Sequence, residues 1–196
     1  MSTAIKAASY LKLIISLFLI INCTCIKVAT KVENGVLHSP ESCAPSVPFV
    51  GTIIVTLDNI LDRITRNGQP LSLVGVADLG DWTKAKTFNV DHLRAGDLIA
   101  ISGRNILTPS ATNPGGILAT ITYRNSKGQV RTINTSDRWR CNYMIASEQG
   151  RNDDASTIWS NVYGGPIAGI NGNAQWIWST NLLVPSVICS IRLPEC

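Results

Sequence analysis

GTIIVTLDNILDRIT, from Gly51 to Thr65, is the stretch on which the fold class turns. Its first half, Gly51 to Leu57, is rich in β-branched residues and reads as a strand. Its second half has two readings. Leu57, Ile60, Leu61 and Ile64 fall at i, i+3, i+4 and i+7, the spacing of one helical face. Asp58 stands where it would cap such a helix, and Asn67-Gly68 where it would end one. Alternatively, Ile60 to Thr65 is a strand that runs into Asn67-Gly68, the strongest hairpin signal in the chain. The pattern alone does not choose between them.

Beyond this stretch, short apolar runs alternate with turn signals. Leu71 to Ala77 is apolar and ends at Asp78. Thr87 to Val90 is short, and Leu98 to Gly103 follows the turn at Ala95-Gly96-Asp97. Asn113-Pro114-Gly115-Gly116 is a dense breaker, and Ile117 to Tyr123 and Val130 to Ile133 alternate on either side of a Lys127-Gly128 turn. Trp139 to Tyr143, Gln175 to Ser179 and Ser186 to Leu193 complete the series. Counting Ile60 to Thr65, there are about ten strand-like runs at ~8–12-residue intervals, the signature of an all-β sandwich or barrel. There is no internal repeat.

Composition narrows the class. Of 196 residues, 45% are hydrophobic, enough for a packed core. Only 15% are charged, and no basic tract is present, so a nucleic-acid partner is not expected. Residues 1–25 read as a secretory signal peptide: Lys6 and Lys12 precede an apolar run within Leu13 to Asn22, and Cys23, Thr24 and Cys25 follow it. That run, ~10 residues, is shorter than the ~20 needed to span a bilayer. A signal anchor and a lipoprotein leader are the competing readings. No later segment is long and apolar enough to span a membrane. Losing 1–25 removes two lysines from 17 basic residues, leaving 15 against 13 acids, a charge of +2. Residues 26–49 form a polar lead-in with Pro40, Pro45 and Pro48, and 50–196 the single domain.

If the leader leaves after Cys25, the remaining cysteines are Cys43, Cys141, Cys189 and Cys196, an even number suited to an oxidising, extracellular compartment. Their spacings of 98, 48 and 7 residues have no zinc-site character. The favoured pairing is Cys43 with Cys196, tying the ends, and Cys141 with Cys189. Pairing of Cys43 with Cys189 or with Cys141 stays open. Asn134-Thr135-Ser136 is a glycosylation sequon, expected in a surface turn.

Three groups of residues together resemble a known family. The first is Asp58-Asn59, Asn67-Gly68 and Gly80-Asp81-Trp82-Thr83-Lys84-Ala85. The second is Leu93 to Ile101 with Arg104-Asn105 and Asn113 to Ala119. The third is Ser136 to Cys141, Asp153 to Trp159 and Gln175 to Trp178. In order and spacing these are similar to galactose-binding-domain-like modules, which occur in secreted lectin-like proteins and as accessory domains of rhamnosidase-type glycoside hydrolases. The resemblance spans about 50–193. It implies a disulfide-tied jelly-roll β-sandwich of about eight to ten antiparallel strands, with Ile60 to Thr65 as a strand. The family often has an aromatic before the Asp-Asp pair, where this chain has Gly150-Arg151-Asn152.

The expected role is that of a non-catalytic carbohydrate-binding module, with glycan recognised by loops at one end of the sandwich. An indole face stacks on the C–H face of a sugar. Trp82 lies in a polar, turn-like stretch and is the candidate platform, with Arg104 and Asn113 as hydrogen-bonding partners. The plainer readings are a packed loop anchor for Trp82 and turn chemistry for the other two. Trp139, Trp159, Trp176 and Trp178 are expected in the core, and apolar residues on both faces of Gln175 to Ser179 make it a buried central strand. Asp153 and Asp154 are a candidate pair for a structural calcium, which such modules often carry; the alternative is a turn with hydrogen-bonded carboxylates. No cofactor is otherwise required. No GxSxG, HExxH, Walker or GxGxxG pattern is present, the acids are scattered, and His38 and His92 lie in loops, so no enzyme is expected. The competing function is an extracellular structural, matrix or adhesion protein, whose partner would be a cell-surface protein. Oligomers would raise the avidity of weak single sites.

Overall fold

Alternating burial along Val50–Asp58 sets the architecture: Ile53, Val55 and Leu57 are fully buried on one side while Ile54 faces the other way. A computed structural model describes residues 49–106, 108–110, 112–163 and 166–195, within the unit spanning Val47–Cys196. The expected leader at 1–25, nearly all of the lead-in, and Cys43 and Cys196 lie outside the described residues.

The structure is all-β, with two antiparallel sheets and one short helix among the described residues. The strands are β1 (Val50–Asp58), β2 (Ile60–Arg66), β3 (Gln69–Pro70), β4 (Lys86–Asp91), β5 (Leu98–Arg104), β6 (Gly116–Arg124), β7 (Val130–Asn134), β8 (Arg140–Cys141), β9 (Met144–Ile145), β10 (Ser147–Arg151), β11 (Gln175–Trp178) and β12 (Ser186–Arg192). The helix α1 is Ile158–Tyr163. The first sheet runs β10-β11-β6-β1-β4, with β7 also paired to β6; the second runs β3-β2-β5-β12-β8-β9. One apolar core fills the space between them, drawing Ile53 and Ile121 from the first sheet and Ile64, Ile101 and Cys189 from the second. The arrangement is sandwich-like.

The ambiguous stretch is strand, and its helical spacing has a physical cause. β2 pairs with β5, but the register slips between Leu61↔Gly103 and Arg63↔Ser102, so Asp62 is one residue too many. This β-bulge turns Ile64 back toward the core. Leu61 and Ile64 are both buried with two exposed residues between them, a spacing that mimics a helix face. Asn67-Gly68 then makes the expected hairpin, with φ of 52° and 81° and Arg66 paired to Gln69. Asp97 fastens that turn to the next: its carboxylate accepts from Asn67 Nδ2 (2.7 Å) and the Arg94 amide (3.0 Å) and pairs with Arg66 (2.9 Å).

Two local expectations are corrected, and one strand goes unmarked by the sequence. Leu71 to Ala77 is not a strand. Leu71, Leu73 and Val76 pack half-buried against the core from a loop that turns at Gly75, φ 79°. Trp139 to Tyr143 is not one strand but part of a hairpin, β8–β9, turning at Asn142-Tyr143. The polar strand β10, SEQGR, carries no apolar alternation by which to recognise it. Gln175 to Ser179 does yield a central strand, since β11 lies between β10 and β6.

Cys141 and Cys189 are bridged across neighbouring strands, with Cα atoms 4.0 Å apart and a separation of 48 positions in sequence. Closing a loop of that length stabilises a fold by about 4 kcal/mol in the chain-entropy description. The doubly substituted Cys141→Ser/Cys189→Ser protein is therefore expected to lose about that much unfolding free energy in urea titrations, with a steeper slope against denaturant because the uncrosslinked unfolded chain exposes more surface.

Candidate functional site

Three connections meet at the end of the sheets where β1 stops and β2 begins: Asn105 to Gly115, Asn152 to Ala174, and Ser179 to Pro185. Between them lies a cleft of about 510 Å³. Ser110 and Pro114 come from the first connection, and Leu182 and Leu183 from the third. Gln149 and Gly150 of β10 and Asp154, Ser156, Thr157, Ile158 and Trp159 line the rest.

The wall carrying Trp159 is fixed by local chemistry. Thr157 caps α1, its Oγ1 accepting from the Ser160 amide (3.2 Å). Asp154 Oδ1 accepts from the amide (2.8 Å) and hydroxyl (2.6 Å) of Ser156. Those bonds, the Ser156 side chain first, hold the Asp154 carboxyl below the usual range, so an ionised acceptor faces the cleft. Gly150 has φ 119°, and a Cβ there would run into Thr157 Cγ2, so an aromatic at that point of the chain has no room.

Behind the wall is a second apolar cluster on the outer face of the first sheet, containing Leu118, Trp159, Ile167, Ile170, Ala174 and Trp176. Trp159 stacks on Trp176 with ring centres 4.4 Å apart and planes 10° from parallel. Asn152 closes the loop beneath them, donating to the carbonyls of Ile167 (3.2 Å) and Ile170 (3.0 Å). Two adjacent glycines seat the indoles. A Cβ on Gly116 would lie 2.7 Å from both Trp159 and Trp176, and one on Gly115 would lie 2.5 Å from Trp178. The sequence reads as a breaker at Gly115-Gly116 because it shows only the missing side chains; the structure shows what occupies their space.

Trp159 also reaches into the corner between the sheets, where its Nε1 donates to Asp58 Oδ2 at 3.0 Å. Asp58 is 7% exposed. Burial pushes its carboxyl above the ordinary range, against the opposing pull of hydrogen bonds from Trp159 and Asn59.

None of Trp82, Arg104 and Asn113 is among the residues that line the cleft. Trp82 is half-buried against the second cluster, edge-on to Trp176 at 6.0 Å, and its carbonyl accepts from Thr56 Oγ1 (2.7 Å). Arg104 ends β5, its Nε bonded to both oxygens of Asp62 (3.0 and 3.1 Å). Asn113 shapes the first connection, its Nδ2 donating to Asn105 Oδ1 (3.1 Å) and the Thr108 carbonyl (3.2 Å). Arg104 and Asn113 thus belong to one loop system, while Trp82 approaches from the outer face of the first sheet. Trp139, Trp159, Trp176 and Trp178 are all buried, as expected. Asn134 ends β7 instead of lying in a turn, and its Oδ1 accepts from Thr120 Oγ1 (3.0 Å). His92 is exposed in the loop after β4.

The Asp153–Asp154 pair does not fit a calcium site in this arrangement. Both oxygens of Asp153 are taken by Arg151 (2.8 and 2.6 Å), whose charge opposes a cation, and Asp154 is held by Ser156. Among the described residues, no three His, Cys, Asp or Glu side chains gather as a metal site. The lining residues that the sequence left unmarked are Ser110, Gln149, Leu182 and Leu183. The one available signal was Leu182-Leu183-Val184, an apolar run inside a loop. Against family models, characterised proteins and solved structures, the chain matches none.

Two outcomes follow from this geometry. Gly116→Ala must displace two stacked indoles and is expected to destabilise by roughly 1–3 kcal/mol, with a changed tryptophan emission spectrum. Asp58→Asn keeps an acceptor for Trp159 but removes the ionisation. Because the folded carboxyl titrates higher than the unfolded one, the parent's Asp58 contribution is complete below the ordinary aspartate range. It declines as pH rises through the raised folded value. Chemical denaturation from acid to neutral pH should therefore show the parent losing stability relative to Asp58→Asn across that window. A constant difference would mean that Asp58 does not titrate as described.

Proposed function

We propose that this chain is a secreted, non-catalytic carbohydrate-binding module with a galactose-binding-like jelly-roll topology, and that the end cleft receives the sugar. One observation carries the reading: hydroxyls of Ser110, Ser156 and Thr157, the Gln149 amide and the Asp154 carboxylate share the cleft with Ile158, Trp159, Leu182 and Leu183. A pyranose presents the same mixture, hydroxyls around its rim and C–H bonds on its faces, and small-molecule sites combine apolar walls with a few placed polar groups. The topology is consistent with a jelly roll, since the chain passes repeatedly between the two sheets, beginning with β1 to β2. Among the described residues, Asp154 is the only carboxylate lining the cleft, whereas glycosidic hydrolysis by paired carboxylates needs two. Secretion rests on the leader-like residues 1–25 together with the Cys141–Cys189 bond.

A structural or adhesion role is the second reading. It is favoured by the complete burial of Trp139, Trp176 and Trp178, which leaves those indoles to packing.

The test is a glycan array probed with the mature, oxidised protein and with Leu183→Asp and Trp82→Ala variants, with calcium and with chelator. Selective binding is expected. It should fall about tenfold in Leu183→Asp, since covering this 63% exposed leucine with the sugar would contribute up to ~1.5–3 kcal/mol. It should survive in Trp82→Ala and be indifferent to chelation. Loss in Trp82→Ala alone would move the site to the outer face of the first sheet. Absence of binding to every glycan would favour the structural reading.

A further inference from the structure

The outer face of the first sheet is covered by residues of the Asn152 to Ala174 connection, whereas no described residue packs over the outer face of the second. On β12, Val187, Cys189 and Ile191 point into the core, so Ile188, Ser190 and Arg192 point outward. Register places the rest. Ile145, Arg140, Ser190 and Ala100 form one row across four strands, and Ile188, Ser102 and Arg63 form the next. The spacing of strands makes this a platform ~19 Å wide from β2 to β9. Arg63, Arg140 and Arg192 are exposed and have no ion-pair partner among the described residues. The acid at this face, Asp62, is already neutralised by Arg104.

One corner of the platform is apolar and protrudes. Tyr143 is 97% exposed, Ile145 54% and Ile188 58%, while Met144, paired with core-facing Cys141, lies on the opposite side of the sheet. Asn142 and Tyr143, with φ of 49° and 70°, form the two-residue turn between β8 and β9. Such a turn favours Asn followed by Gly, and tyrosine in the second place is strained. No packing offsets the strain, since almost the whole residue is exposed. The turn is nevertheless held firmly. The Asn142 amide donates to the Ile188 carbonyl (2.9 Å), the Ile188 amide donates to Asn142 Oδ1 (3.1 Å), and the Cys141–Cys189 bond lies directly beneath.

From these features we infer that the outer face of the second sheet, led by the Tyr143 turn, docks on an anionic lipid surface. Tyr143, Ile145 and Ile188 enter the headgroup boundary, while Arg63, Arg140 and Arg192 meet lipid phosphates. The chemistry selects this occupant. A second copy of the chain would set arginine against arginine. A soluble polyanion would satisfy the arginines but leave three apolar side chains in water. A lipid boundary offers phosphate and hydrocarbon together, and a protruding tip on a flat face suits a deformable plane better than a rigid partner. The inference stands apart from the sugar reading and involves none of the cleft residues.

The experiment is co-sedimentation of the mature, oxidised protein with vesicles of phosphatidylcholine alone or of phosphatidylcholine with phosphatidylglycerol. Binding is expected only to the anionic vesicles and should weaken with added salt. Arg140→Gln should lower the partition coefficient roughly fivefold. Tyr143→Gly suits the turn better, so it should bind several-fold more weakly while keeping or raising the thermal midpoint, which separates docking from folding. Equal binding to both vesicles, or unchanged binding in Tyr143→Gly and Ile145→Ser, would overturn the inference. So would capture by soluble dextran sulfate that ignores the apolar substitutions, or a stable dimer that those substitutions dissolve.

Discussion

The chain leaves the first sheet and enters the second with a single residue, Asn59, between β1 and β2. So short a crossing can be made only where the polar groups at the corner find partners. The Asn59 amide donates to the Arg104 carbonyl (3.2 Å), and Asn59 Oδ1 accepts from the Ile106 amide (3.0 Å), which pins the start of the Asn105 to Gly115 connection. Asp58 faces the other way, and its carboxylate receives the Trp159 N–H. Asp58 also pairs in register with Gly116, the seat of the Trp159–Trp176 stack. Two of the three connections that build the cleft are therefore anchored to neighbouring residues of one corner. A carboxylate is a costly group to bury, and this one stays because its removal would leave an indole N–H without its partner.

The strands were legible wherever one face of a sheet is packed and the other is not. Lys86–Asp91 and Ser186–Arg192 alternate inside and outside because two-residue periodicity is the geometry of a strand. The reading became ambiguous at Leu61 and Ile64, where a bulge shifts the period by one, and there the family resemblance, implying a strand, agreed with the structure. It failed at Leu71 to Ala77, since an apolar loop lying over a core has the composition of a strand but a turn at Gly75. It also failed to register β10, whose polar side chains are placed by backbone pairing with β11 and not by burial.

The cleft was less legible than the fold, for a different reason. Its residues come from connections far apart in sequence, and nothing local marks Gln149 as a neighbour of Leu183. Trp82 stood out because it is aromatic among polar residues, yet its ring finds Trp176, which sequence could not foresee. Asp153 and Asp154 stood out as a pair, yet each is satisfied within three residues, by Arg151 and by Ser156. Their separate partners divide two adjacent carboxylates into a surface ion pair and a lining group of the cleft.

The seating of indoles on Gly115 and Gly116 has an optical consequence. With no side chain on either residue, Trp178 presses on the peptide backbone at one point and the Trp159–Trp176 stack at the next, so the two apolar clusters approach each other across the backbone there. Indoles stacked in parallel at 4.4 Å couple their electronic transitions. Their combined circular dichroism depends on the angle and distance between them. Since Trp159 forms both half of that pair and part of the cleft wall, any shift of the wall changes the coupling. The chain thus carries its own spectroscopic gauge of the cleft, built from residues whose first task is packing.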